Sequence, residues 1–108
     1  MTASEASADV AKLVQNPTAT LARATTWKTF RDNELTGAQI SSWAQVPDDR
    51  PIWVAVASGT VHWQYSLESL PTYDWEMVAY DQATGTTLAS TAGDGAWPAW
   101  FTALPTSG

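Results

Sequence analysis

Few residues in this chain have the types and spacing that catalysis needs. His62 is the sole histidine, and the Gly-x-Ser-x-Gly elbow that would present a nucleophilic serine to it does not occur. Beside Trp63 in an alternating stretch, His62 reads as a solvated or rim histidine. Asp74 and Glu76 lie two apart, so on a strand they share a face, and paired carboxylates are what a glycosidase uses as acid and base. Nothing else in 108 residues supplies a sugar cleft, so this pair reads as a solvated strand face. Asp48, Asp49 and Asp94 are oxygen ligands by type, but they lack the spacing of a calcium loop, and no metal is expected. A phosphate loop and a dinucleotide fingerprint are both absent, so no cofactor is expected either. With no cysteine, the chain has no disulfide, thiol nucleophile or zinc ribbon. An enzyme is the least favoured class, for want of any nucleophile–base pair.

The aromatic residues carry more information. There are seven Trp, and each can bury about 150–250 Å². Trp27, Trp53 and Trp75 fall on inward faces of the elements described below and read as core. Trp43 lies in a connection. Trp63 with Tyr65 on one strand face, and Trp97, Trp100 and Phe101 near the end of the chain, are the candidate ligand-binding residues. Either the terminal aromatics fold back over the sheet, which is the favoured reading, or they form an exposed platform for a partner or a sugar ring.

Charge narrows the partners. The chain has 11 acidic and 5 basic residues, a net charge of −6, and no cation after Arg50. Nucleic-acid binding needs a clustered basic patch, so it is not expected, and neither is a polybasic membrane anchor. The longest apolar run, Ile52 to Ala57, is far short of the ~20 residues of a membrane-spanning helix. The first residues lack the basic and apolar regions of a signal peptide.

The elements that must position these residues follow from pattern. Thr2-Ala3-Ser4-Glu5 fits a capping box, and Ala6, Val10, Leu13 and Val14 recur at helical spacing, so residues 2–15 read as a helix stopped by Asn16-Pro17. Residues 1–17 are therefore an N-terminal helix or a leader, and 18–108 a single domain with an aromatic C-terminal tail. Residues 18–25 read as a strand. Thr26 reads as the cap of a helix whose stripe is Trp27, Phe30 and Leu35, with Gly37 beyond its end. Ile52 to Ala57 is apolar on both faces, as a central strand would be. Ser58-Gly59-Thr60 reads as a turn joining it to a second strand, Val61 to Tyr65. In Tyr73 to Tyr80, Trp75, Met77 and Ala79 face one way, and Glu76, Val78 and Tyr80 the other. Asp81 to Gly85 is a turn, and Thr86 to Ser90 the returning strand. The expected class is α+β: an antiparallel sheet of about four strands with one short helix packed on a face, plus the N-terminal helix.

Two stretches, RPIWVAVASG at 50–59 and YDWEMVAYDQATGTTLAS at 73–90, resemble the PepSY and PepSY-like domains of bacterial extracytoplasmic proteins. The likeness lies in the run Ile52 to Val56 and in the Asp-x-x-Thr-Gly turn, Asp81 to Gly85, and spans a third to a half of the chain. It implies a helix packed on an antiparallel sheet and an extracellular or cell-surface setting. It also implies a non-enzymatic binding or regulatory role toward a protein or peptide partner. The Trp-rich tail is not part of that family pattern. The alternative is a carbohydrate-binding module that presents exposed Trp to a cell-wall or other polysaccharide.

Overall fold

The computed structural model describes residues 1–34, 46–62 and 72–105. Four antiparallel strands form one sheet in sequence order: β1 (Gln15–Thr26), β2 (Pro51–His62), β3 (Thr72–Asp81) and β4 (Thr87–Gly93). Helix α1 (Ala3–Ala11) precedes β1, α2 (Trp27–Glu34) follows it, and a single turn, α3 (Ala99–Thr102), closes the described chain. The class is α+β, as the patterning predicts.

The sheet is organised around β2, which pairs with β1 on one side and β3 on the other. Strand side chains alternate between faces, so Ile52, Val54 and Val56 enter one core and Ala55, Ala57 and Val61 another. On the first face, Trp75, Met77, Ala79 and Ala89 join them beneath Trp27 and Phe30 of α2 and Phe101 of α3. On the second, Ala22, Val78 and Tyr80 lie against Ala6 and Val10 of α1 and the nearby Val14. Trp53 is half-buried on this second face, where its indole N–H donates to the Met1 carbonyl at 2.9 Å. It therefore does not meet Trp27, whose core partner among the strand tryptophans is Trp75.

Local chemistry sets the element ends. The Thr2 hydroxyl accepts the Glu5 amide, and the Glu5 carboxylate accepts the Thr2 amide, so the expected capping box is present. The helix stops at Ala11, short of residue 15, which lets Val14 turn into the core. Residues 1–17 are accordingly part of the packed fold, and β1 begins at Gln15. The extra residues of a bulge between Gln15 and Ala19 absorb Pro17, which has no amide to give a ladder, and place Asn16 at φ 55°. Helix α2 begins where the amides of Trp27 and Lys28 donate to the carbonyls of Arg50 and Asp48, each at 2.9 Å. Its solvent face carries the Arg31–Asp48 and Lys28–Asp32 ion pairs.

One expectation is overturned. Residues 58–60 make no turn, because β2 runs unbroken to His62. A bulge between Ser58 and Val61 takes up the local irregularity, and β1 and β3 pair on both sides of it. The fourth strand is β1, in place of a separate strand at 61–65; residues 63–65 lie outside the described residues. The turn at Asp81 is as read. The Asp81 side chain accepts the amides of Ala83 and Thr84, its carbonyl accepts the Gly85 amide, and Gly85 has φ 75°.

Gly93 meets a steric demand that its sequence context does not announce. It pairs with Trp75, and a Cβ placed on it would lie 2.3 Å from the indole. Gly93→Ala must displace a buried Trp ring and should lower stability by about 1–3 kcal/mol in denaturant melts. An unchanged unfolding midpoint would show that the indole does not rest on the Gly93 backbone.

Candidate functional site

The candidate residues have different fates. Trp63, Tyr65 and the side chain of His62 lie outside the described residues. Phe101 is fully buried in the core beneath α2, so it offers no face to a ligand. Trp97 and Trp100 are half-buried against the same core. The Trp97 indole N–H donates to Ser58 Oγ at 2.8 Å, and that of Trp100 to Glu34 Oε2 at 2.8 Å. The other oxygen of Glu34 accepts the Thr91 hydroxyl at 3.0 Å. Ring contacts near 6 Å tie Trp97 and Trp100 to Phe101, and Trp100 to Phe30. The terminal aromatics thus form a clasp over the sheet. Pro98 sits at the head of α3, which directs the two indoles to different anchors.

The physical reason is the amphipathic indole. Two Trp and one Phe within five residues bury a large apolar area, while each N–H needs an acceptor once it leaves water. Glu34, at the end of α2, and Ser58, on β2, supply those acceptors. Sequence reading did not single out either residue. Their role depends on elements far apart in the chain, and no local pattern marks it.

A second arrangement lies on the α1 face. Tyr80 donates its hydroxyl to Asp9 Oδ2 at 2.6 Å, joining β3 to α1. Burial, and next the Asp9 carboxylate, push the Tyr80 phenol up. Glu76 lies on the same side of β3, where its cross-strand neighbours are Ala57 and Ala92. Its carboxyl is half-buried, has no hydrogen-bond or ion-pair partner among the described residues, and is pushed up to about 7 by burial. The expectation of a solvated Asp74–Glu76 face is therefore corrected. Asp74 is exposed and accepts the Gly95 amide at 2.8 Å, whereas Glu76 is half-buried on the sheet face that α1 packs against. A visible signal for this was Glu76's place in alternation with Val78 and Tyr80.

A third feature is a surface pocket of about 310 Å³ lined by Arg50, Pro51, Asp81, Gln82 and Ala83. Arg50 reaches Asp81 Oδ2 through Nε at 2.6 Å and through a terminal nitrogen at 2.5 Å. Burial opposes ionisation of Asp81, but Arg50 and the Ala83 and Thr84 amides hold its carboxyl below the usual range. The pair is satisfied internally, so the pocket presents no uncompensated charge. Among the described residues no group of three or more His, Cys, Asp or Glu converges on a metal position.

Two outcomes follow. Phe101→Ala should lower stability by about 3–5 kcal/mol and make the protein bind a hydrophobic dye, because it opens the core under α2; a variant as stable as the parent would mean the clasp is not packed. Glu76 sets a pH dependence. Its folded carboxyl holds a proton to about 7 instead of the ordinary 4.5, so the folded state binds more protons between those values. Glu76's contribution to stability is therefore greatest below about pH 4.5 and falls as pH rises to about 7. Burial is the cause of the rise, and no charged group among the described residues pairs with Glu76. Glu76→Gln should remove this component and raise stability near pH 8 by about 1–2 kcal/mol, allowing for solvent screening. Parallel stability–pH curves for the two proteins would refute it. No protein-family model, curated protein or solved structure matches the chain, so function is argued from these residues.

Proposed function

We propose that the protein is a non-enzymatic binding domain of PepSY-like type that acts outside the cytoplasm and engages a protein or peptide partner. The observation that carries this reading is Glu76: a half-buried carboxyl, flanked across the strands by two alanines, with no cation paired to it among the described residues. A partly desolvated carboxylate without a partner costs stability, and an incoming cation offsets that cost. Catalysis would require a second group facing the same reacting atoms, but the same-face neighbours on β3 are engaged elsewhere: Asp74 accepts the Gly95 amide and Tyr80 donates its hydroxyl to Asp9. The helix-on-sheet frame and the Asp81 to Gly85 hairpin support the family likeness. The sugar-platform alternative loses support at these positions, because Phe101 is buried in the core and Trp97 and Trp100 pack against it with their indole N–H groups engaged.

Selection from a random peptide library displayed on phage, at neutral pH, tests this reading. Enrichment of Lys- or Arg-containing peptides, with loss of their binding in Glu76→Gln, is the expected result. An empty selection, together with quenching of Trp fluorescence by soluble cell-wall oligosaccharides, would overturn it in favour of the sugar module.

A further inference from the structure

Strand β4 is an edge of the sheet. Its inner side pairs with β3, and no described residue pairs with its outer side. Its sequence, Thr-Leu-Ala-Ser-Thr-Ala-Gly, has neither charge nor proline. Its one irregularity is at Leu88, next to the turn, so the ladder from Ala89 to Gly93 is regular. The other edge, β1, carries the features that blunt an edge: Pro17, a bulge at its start and a charged Arg23. The two edges therefore differ in chemistry, and only β4 offers a plain template for another strand.

What lies behind that edge indicates the occupant. On the α1-facing side, Ala92 is the cross-strand partner of Glu76. A strand added outside β4 would lie about 4.8 Å from it and about 10 Å from β3. Ala92 raises only a methyl group between the newcomer and the Glu76 carboxyl. A long cationic side chain leaning across that methyl can reach the carboxyl, with its stem on the alanine and its charge at the acid. No cation of this chain pairs with Glu76 among the described residues, and residues 51–108 contain no Lys or Arg.

Resting on the binding-domain reading, we propose that β4 accepts an extended segment of a partner protein as a fifth strand, with a Lys or Arg of that segment reaching over Ala92 to Glu76. A second copy of this chain fits less well. Pairing β4 with its own copy would bring together two uncharged strands, leave both Glu76 carboxyls without a cation, and join molecules that each carry a net charge of −6.

The probe is a short synthetic peptide of alternating Thr and Val with one central Lys, compared with its Lys→Gln form. Each is titrated into the full-length ¹⁵N-labelled protein and followed by amide shifts and hydrogen exchange. The expected result is a response centred on the amides of Ala89 to Gly93. Replacing the peptide Lys by Gln should weaken binding about tenfold. Glu76→Gln should give about the same tenfold loss with the Lys peptide, and the two changes together should lose little more. Ala92→Lys, which sets a cation beside Glu76 from within the chain, should abolish the preference for the Lys peptide. Equal binding of both peptides by the parent protein would overturn the proposal. So would a response centred on β1, or no response at millimolar peptide. Concentration-dependent self-association that protects the β4 amides without peptide would identify a second copy as the occupant and also overturn it. Phage-selected peptides that bind through Glu76 without touching β4 would sink this inference and leave the binding-domain reading standing.

Discussion

The structure depends on one constraint, the burial of β2 on both faces. Ile52 to Ala57 presents an apolar side chain at every position, and an extended chain sends alternate side chains to opposite sides. No single layer can cover such a strand. It needs pairing partners along both edges and a separate cover above and below, and the other elements supply these. Strands β1 and β3 take the edges, α1 covers one face, and α2 with the terminal aromatics covers the other. The two covers differ in thickness for a reason in the residues. Ala22, Ala55 and Ala57 let α1 lie close to the sheet, whereas the face with Ile52, Val54, Trp75 and Met77 is filled by Trp27, Phe30 and Phe101.

The terminal clasp shows how an amphipathic side chain can close a core while keeping its polar atom satisfied. Trp97 and Trp100 lie on the apolar layer and hand their indole N–H groups to Ser58 and Glu34. Glu34 in turn holds Thr91, so one carboxylate links α2, β4 and α3. Charge-assisted hydrogen bonds of this kind are stronger than neutral ones. They also fix where the short α3 sits, which its four residues would not do alone. The terminal aromatics are thereby the lid of the core, the favoured of the two readings of their sequence.

With both faces of the sheet covered, the polar groups at its margins differ in how they are satisfied. Asp81 and Arg50, at one end, answer each other. Glu76 differs because its neighbours along and across the strands are apolar or acidic, and its carboxyl is half-buried on the face that carries α1. A side chain held at such a cost, beside an edge strand that carries neither charge nor proline, is where this fold departs from local consistency, and that is why the proposed binding site is put there.

The sequence by itself determined the features that short-range contacts decide. The capping box of α1, the alternation of Trp75, Met77 and Ala79 against Glu76, Val78 and Tyr80, and the Asp81 to Gly85 turn each involve groups a few residues apart, and each is legible in order along the chain. The central position of β2 was legible as well, since only a strand covered on both faces tolerates that run of apolar residues. Only the tertiary structure decided the rest. Ser58-Gly59-Thr60 carries a turn's composition, yet ladders with β1 and β3 on either side hold it extended, and those partners come from distant parts of the chain. The sequence leaves two places open for Phe101, an exposed platform or the favoured cover of the sheet, and burial against α2 and β2 decides for the second once that surface exists. The lack of a partner for Glu76 among the described residues goes with Ala57 and Ala92 as its cross-strand neighbours, which reach it only through strand register. Local hydrogen bonding can be read from neighbours in sequence, whereas burial and charge pairing depend on which distant side chains the register brings alongside.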